Sequence, residues 1–232
     1  DKKAEYLIIN AVECEPYLTS DNRVLLEHSE EVLIGIEIMK KALGVKYAKV
    51  GIENNKPEAI AQMQKAAKDF EGTEIVPLKT KYPQGAEKQL VYALTKREIP
   101  SGKLPIEVGC VVNNVGTALA IYYAVQKNRP LIDNILTYTG KDVKENKNLL
   151  VRVGTPIRSI IDYCGGLPES TGKIISGGPM MGKAIVNIDA PTVKTTSSIL
   201  VMTEKESKRK TQTNCLRCGK CVSACPMGVE PI

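Results

Sequence analysis

Ser29-Glu-Glu-Val-Leu-Ile-Gly-Ile-Glu-Ile-Met-Lys-Lys-Ala-Leu-Gly44-Val-Lys-Tyr-Ala-Lys-Val-Gly-Ile52 carries a helix and a strand back to back. Val32, Leu33, Ile36, Met39 and Leu43 recur at helical spacing and form one apolar face. Ser29 stands where an N-cap is expected, Glu30 and Glu31 lie where the helix dipole favours acids, and Gly44 supplies the stop. Tyr47 to Ile52 then has the length and β-branched content of a strand. A helix delivered straight into a strand is the unit of an α/β fold.

The alternation extends in both directions. Strands are expected at Tyr6 to Ile9, Glu74 to Leu78 and Val108 to Val112. Helices are expected from Pro57 through Ile60, Met63 and Ala67 to a stop at Gly72, from Gly85 to Thr95, and from Thr117 to Gln126. Such a series implies a largely parallel sheet that binds ligands at the carboxyl ends of its strands. From Asn134 the pattern changes to short strands, Ile135 to Gly140, Leu149 to Val153 and Lys173 to Ser176, around one helix, Ile157 to Cys164. The segment 192–213, rich in Thr, Ser and Lys, reads as a strand or linker.

Composition narrows the function. The 232 residues are 43% apolar with no Trp and a single Phe, Phe70, so the core is built from Val, Ile, Leu and Ala, as in buried parallel sheets. The net charge of +6 lies partly in Lys205 to Lys210, a basic linker. Few aromatics accompany the Lys and Arg residues, which argues against nucleic-acid binding. No run approaches the roughly 18 apolar residues of a membrane span, and Asp1, Lys2 and Lys3 do not open a signal peptide, so the chain reads as soluble. The start without Met, just ahead of a strand, and the abrupt end at Ile232 lead us to expect native sequence beyond both termini. His28 is the only histidine, which removes His-dependent triads and His-rich metal sites; its place before a helix makes it structural.

Cys215, Cys218, Cys221 and Cys225, followed by Pro226, are spaced C-x2-C-x2-C-x3-C-P, the bacterial ferredoxin run for a [4Fe-4S] cluster. Two-residue gaps aim three thiolates at one cube, and the fourth points to a second cluster. Zinc favours two separated C-x2-C knuckles, and structural disulfides are rare in the cytosol. A two-cluster module needs a second run of the same kind, which this sequence does not contain, so the expectation for this stretch alone is a motif without a stable cluster. Cys110 and Cys164 stand singly among apolar neighbours and read as core.

Three further stretches, Asn10-Ala-Val-Glu-Cys-Glu-Pro16, Tyr82-Pro-Gln-Gly-Ala-Glu-Lys-Gln89 and Val112-Asn-Asn-Val-Gly-Thr117, adjoin expected strands. Together with Ser176-Gly-Gly-Pro-Met-Met-Gly182 and the cysteine run, they resemble RnfC and, more distantly, the flavin- and NADH-binding subunit of respiratory complex I. The resemblance implies an α/β protein in three parts: residues 1–133 a Rossmann-like FMN- and NADH-binding domain, 134–191 a β-grasp domain of the SLBB type, and 192–232 a linker opening a ferredoxin-like module. It implies FMN, NADH and two 4Fe-4S clusters in the intact protein, and a membrane-peripheral electron-transfer subunit on the cytoplasmic face, acting between NADH and ferredoxin with other Rnf subunits in ion translocation. By position in the matching motifs, Asn10, Glu13, Cys14, Tyr82, Gly85 and Glu87 line the isoalloxazine side, and Asn113, Asn114 and Thr117 close the pocket. No catalytic residue is assigned. The reading expects one crevice shared by Glu13, Glu87 and Asn113.

The same residues have plainer uses. Asn113 and Asn114 suit a cap for the helix near Thr117, Glu13 to Pro16 a turn, Tyr82 to Glu87 a loop, and Ser176 to Gly182 a tight turn in the β-rich unit. The complex I subunit has an acid at the position of Val12, so no role for that acid carries over. The family's glycine-rich flavin-phosphate loop lies upstream of this sequence, and this piece alone is expected to bind FMN weakly and to be inactive. A soluble reductase serving cobalamin or a substrate reductase, or a noncatalytic scaffold, fits the same modules.

Overall fold

The computed structural model describes residues 3–225 and 228–230; Pro226 lies outside them. The first unit holds β1 (Tyr6–Ala11), α1 (Ser20–Glu27), α2 (Ser29–Leu43), β2 (Tyr47–Glu53), α3 (Pro57–Ala66), β3 (Thr73–Leu78), α4 (Glu87–Thr95), β4 (Cys110–Asn114) and α5 (Val115–Gln126). Its four strands form one parallel sheet in the order β3-β2-β1-β4.

The unbroken apolar run of β1 follows from cover on both faces. Leu7, Ile9 and Ala11 join Val24, Leu33, Ile36 and Met63 in one core, while Ile8 and Val12 join Leu90, Val91 and Leu94 of α4 in another. Fully burying Val32, Leu33 and Ile36 on α2 contributes roughly 1.5–3 kcal/mol each. Close packing of α2 on α5 depends on Gly35, where an added Cβ would lie 2.0 Å from the Ala118 carbonyl oxygen. Gly44 ends α2 in the left-handed region (φ 67) as the sequence predicts.

Several boundaries differ from expectation. Ser29 is the first residue of α2 and not its cap, because the unforeseen helix α1 runs almost directly into it with His28 between them. α1 escapes a periodicity reading because its eight residues bury only Ser20, Val24 and Leu25. The helix expected from Thr117 starts at Val115, since the Asn114 side chain accepts from the Gly116 N–H (2.7 Å) and caps it. Pro105–Val108 is a 3-10 turn closed by Gly109 (φ 71), so β4 starts at Cys110 and not Val108. Cys110 and Cys164 are buried, and His28 lies edge-on to the Tyr123 ring.

The second unit holds β5 (Asp133–Gly140), β6 (Lys147–Arg152), α6 (Ile157–Tyr163), β7 (Thr171–Ser176), β8 (Lys183–Ile185) and β9 (Ser198–Thr203). They make a mixed sheet ordered β6-β5-β9-β7-β8, antiparallel except where β9 runs parallel to β5. Ile157, Ile160 and Ile161 of α6 pack with Leu136, Tyr138, Ile199 and Val201. Such a sheet grasping one helix is a β-grasp arrangement. β9 is a central strand, so this unit continues past residue 191 to Thr203; only Ser198 and Thr203 of the Thr- and Ser-rich stretch lie in this strand, whose Ser198, Ile199, Leu200 and Val201 are buried.

Beyond β9, α7 (Glu204–Ser207) carries a Thr203–Glu206 capping box, and α8 (Lys220–Ala224) follows Gly219. Among the described residues no helix is long and apolar enough to cross a membrane. The units are joined where Thr19 donates its N–H to Thr137 Oγ1 (3.1 Å) and accepts from the Asn148 amide (2.9 Å).

Candidate functional site

β1 and β4 run side by side in parallel, with Asn10 opposite Asn114 at their carboxyl ends. The chain leaving β1, the start of α1, the turn before α4 and the start of α5 therefore converge there. The second unit adds the start of β5 and the loop before β9, and together they enclose a crevice of about 400 Å³. That is within the range of roughly 300–1,000 Å³ typical of small-molecule sites.

Of the residues singled out in the sequence, Glu13, Cys14, Gly85, Asn114 and Thr117 line this crevice. Asn10 sits just behind it, donating from Nδ2 to the Gly85 carbonyl (2.9 Å) and accepting the Val12 N–H at Oδ1 (3.1 Å). Gly85 has to be glycine, since a Cβ there would lie 2.6 Å from the Val12 carbonyl oxygen. Half-exposed Tyr82, in the turn before α4, has its phenol pKa raised by partial burial and by nearby Glu15 and Cys14. The crevice expected to unite Glu13, Glu87 and Asn113 instead unites Glu13 with Asn114. Successive strand residues face opposite ways, so Asn114 reaching the crevice turns Asn113 aside. Exposed Glu87 opens α4, which leads away from Gly85, and it is not among the lining residues.

Glu13 is the electrostatic centre, with its side chain only 5% exposed. Oε1 accepts from the Asp21 N–H (3.0 Å) and Ser20 Oγ (3.3 Å), Oε2 accepts from the Asn22 N–H (3.4 Å), and Lys56 Nζ lies 3.8 Å away. The carboxylate thus satisfies N–H groups at the start of α1. Burial, and next the Asp21 charge, push the Glu13 pKa up to about 7 despite those donors. Burial raises the Asp21 pKa as well, opposed by Asn114, whose Nδ2 donates to Oδ2 (2.9 Å). The two carboxyls make a pair readily able to hold a proton near neutrality. Burial also raises the Cys14 pKa, which keeps its thiol protonated.

Glu15, on the same arm as Glu13, accepts the N–H groups of Met180 (3.0 Å) and Met181 (2.8 Å). The Ser176–Gly182 turn thereby docks on the first unit, with Gly178 flat against the Glu15 side chain. Ser20, Asp21, Lys56, Lys194, Thr195 and Ser197 were not found by sequence reasoning. A Ser-Asp pair opening a helix was the available signal for the first two; the last three reach the crevice only through the pairing of β9 with β5.

Cys215, Cys218 and Cys221 are exposed and Cys225 is half-buried, and no disulfide joins any of the seven cysteines. Among the described residues no three His, Cys, Asp or Glu side chains gather closely enough to hold a metal ion. The four thiols as placed do not form a cluster cradle.

The Nuo51 FMN-binding domain model matches residues 1–123, and the SLBB domain model matches 136–184. The sequence is 52% identical over all of this chain to the RnfC protein of a proton-translocating ferredoxin:NAD(+) oxidoreductase complex from Clostridium ljungdahlii, covering 50% of that protein. It is 44% identical, again over all of this chain, to the RnfC protein of the Na(+)-translocating ferredoxin:NAD(+) oxidoreductase complex of Acetobacterium woodii, covering 52% of it. The corresponding protein of an ion-translocating oxidoreductase complex from Rhodobacter capsulatus is 44% identical over 97% of this chain, and 44% of that protein is covered. The chain therefore spans about half the length of the relatives it matches. A chain of an NAD+-reducing [NiFe]-hydrogenase crystal structure in the H2-reduced state superposes with a TM-score of 0.71 at 19% identity, over 87% of this chain and 41% of that one. That likeness is one of fold.

Proposed function

The chain belongs to the family of the Nuo51 FMN-binding domain, and from that premise we propose that it is the flavin-bearing part of an RnfC protein that moves electrons between NADH and ferredoxin in an ion-translocating complex. The observation that carries the reading is a 400 Å³ crevice at the carboxyl ends of β1 and β4 that gathers Glu13, Gly85, Asn114 and Thr117 from three separate motifs.

The residues present fit a flavin. Leu18, Val24, Leu131 and Ile135 offer apolar wall for a ring, and the amide of Asn114 and the carboxyl of Glu13 offer polar groups for its edge. FMN, when bound, supplies exchange between two-electron and one-electron transfer. Gly85 lets the turn before α4 lie against the Glu13 arm, and Asn10 ties the two together. Asn114 fixes the start of α5 and orients Asp21. The Glu13 carboxyl, with its pKa of about 7, holds or releases a proton at Oε1 or Oε2 beside the ligand as electrons arrive or leave.

The spacing of Cys215, Cys218, Cys221 and Cys225 supports their role as iron-sulfur ligands in the complete protein. Their present placement does not fit that group, so no electron step is routed through them. Membrane association runs through the partner proteins of the complex, at the cytoplasmic face. Thr117→Trp tests the assignment, because Thr117 is exposed at the crevice, where a larger side chain fills ligand space without entering the core. The full-length variant should lose FMN at unchanged circular dichroism; FMN retained at wild-type stoichiometry contradicts the placement of the site.

A further inference from the structure

Three carboxyl side chains border the crevice, and each already has donors. Glu13 is taken by Ser20 and by the N–H groups of Asp21 and Asn22, Asp21 by Asn114, and Glu15 by the N–H groups of Met180 and Met181. The one cationic side chain in the lining, Lys194, comes from the second unit and makes no ion pair among the described residues. Hydrogen bonds fix the backbone of its loop. Asn134 Nδ2 donates to the carbonyls of Lys194 (3.3 Å) and Thr196 (2.9 Å), the Val193 N–H donates to Thr196 Oγ1 (3.0 Å), and the Thr137 N–H donates to the Ser197 carbonyl (3.0 Å). The same loop presents Thr195 and Ser197 beside Lys194.

An exposed lysine without an ion-pair partner among the described residues, on a hydrogen-bonded loop that also carries two hydroxyl residues, in a crevice whose carboxylates already accept hydrogen bonds, suits an entering anion with several oxygens. Resting on the flavin reading above, we propose that Lys194, with Thr195 and Ser197, binds a phosphoryl group of the crevice ligand, so that the second unit supplies part of the binding site as well as packing beside it. A flavin's terminal phosphate, which Lys194 would meet in addition to the glycine-rich loop expected upstream of this sequence, and a dinucleotide's diphosphate share this chemistry. The role is one of binding and specificity, because the ammonium meets the charged tail of a ligand and not its reacting ring.

The test titrates FMN, riboflavin and NADH into the full-length protein and its Lys194→Gln and Lys194→Arg variants. Lys194→Gln should weaken FMN about tenfold, the size of one charge-assisted contact, while riboflavin binds as before and Lys194→Arg restores most of the loss. Unchanged riboflavin affinity also reports an intact crevice. If the loss falls on NADH and spares FMN, the proposal holds with the dinucleotide's diphosphate as the group recognised. Equal affinities for FMN and NADH in wild type and Lys194→Gln, or equal losses for FMN and riboflavin, overturn the proposal and leave the flavin reading standing. Wild-type protein that binds neither flavin overturns both.

Discussion

Replacing Glu13 by Gln removes the one carboxyl in the crevice whose pKa is pushed up to about 7 from an ordinary 4.5. The folded protein therefore binds this proton more tightly than the unfolded chain does. The stabilisation is complete below about pH 4.5 and is lost as the pH rises through 7, because the buried group must then ionise beside Asp21. At about 1.4 kcal/mol per pH unit the loss attributable to Glu13 is about 3 kcal/mol, and the raised Asp21 pKa acts in the same direction. Exposure of only 5% means that solvent screening does little to reduce it. Urea unfolding at a series of pH values between 5 and 8 measures the effect for both proteins. The stability of Glu13→Gln relative to wild type should rise by about 2.5 kcal/mol across that span. Parallel stability curves for the two proteins refute the buried-proton argument.

Gly35→Ala should lower stability by about 2–3 kcal/mol in thermal melts, because its Cβ meets the Ala118 backbone, whereas Gly102→Ala, with open space but φ 72, should cost about 1 kcal/mol. Asn114→Ala removes the cap of α5 and a donor to Asp21, an expected loss of about 1–2 kcal/mol accompanied by weaker FMN binding in titrations. Glu15→Ala frees the N–H groups of Met180 and Met181, and limited proteolysis should then cut the 177–182 turn several-fold faster than in wild type.

The parallel sheet was legible because its elements are long and periodic, and because buried strands such as β1 read as continuous apolar runs. The site was legible in part. Asn10, Glu13, Gly85 and Asn114 were marked by their place in the motifs that carry the family resemblance and not by local chemistry; the fold brings Glu13, Gly85 and Asn114 to the crevice, with Asn10 behind it. Asp21 stayed hidden because α1 is short, and Lys194 because its approach depends on β9 crossing to the middle of the second sheet, a contact far apart in sequence. Asn113 and Glu87 illustrate the opposite limit: motif position marks the neighbourhood, while strand alternation and helix direction decide which side chain enters the crevice.

The central claim is a flavin in the crevice at the ends of β1 and β4 that takes electrons from NADH. Anaerobic absorption spectra of the full-length, FMN-loaded protein before and after one equivalent of NADH test it most directly. NADH should bleach the flavin band in wild type, and in Thr117→Trp the band should be absent from the start. A wild-type flavin band that NADH leaves unchanged, or an equal bleach in the blocked variant, contradicts the account.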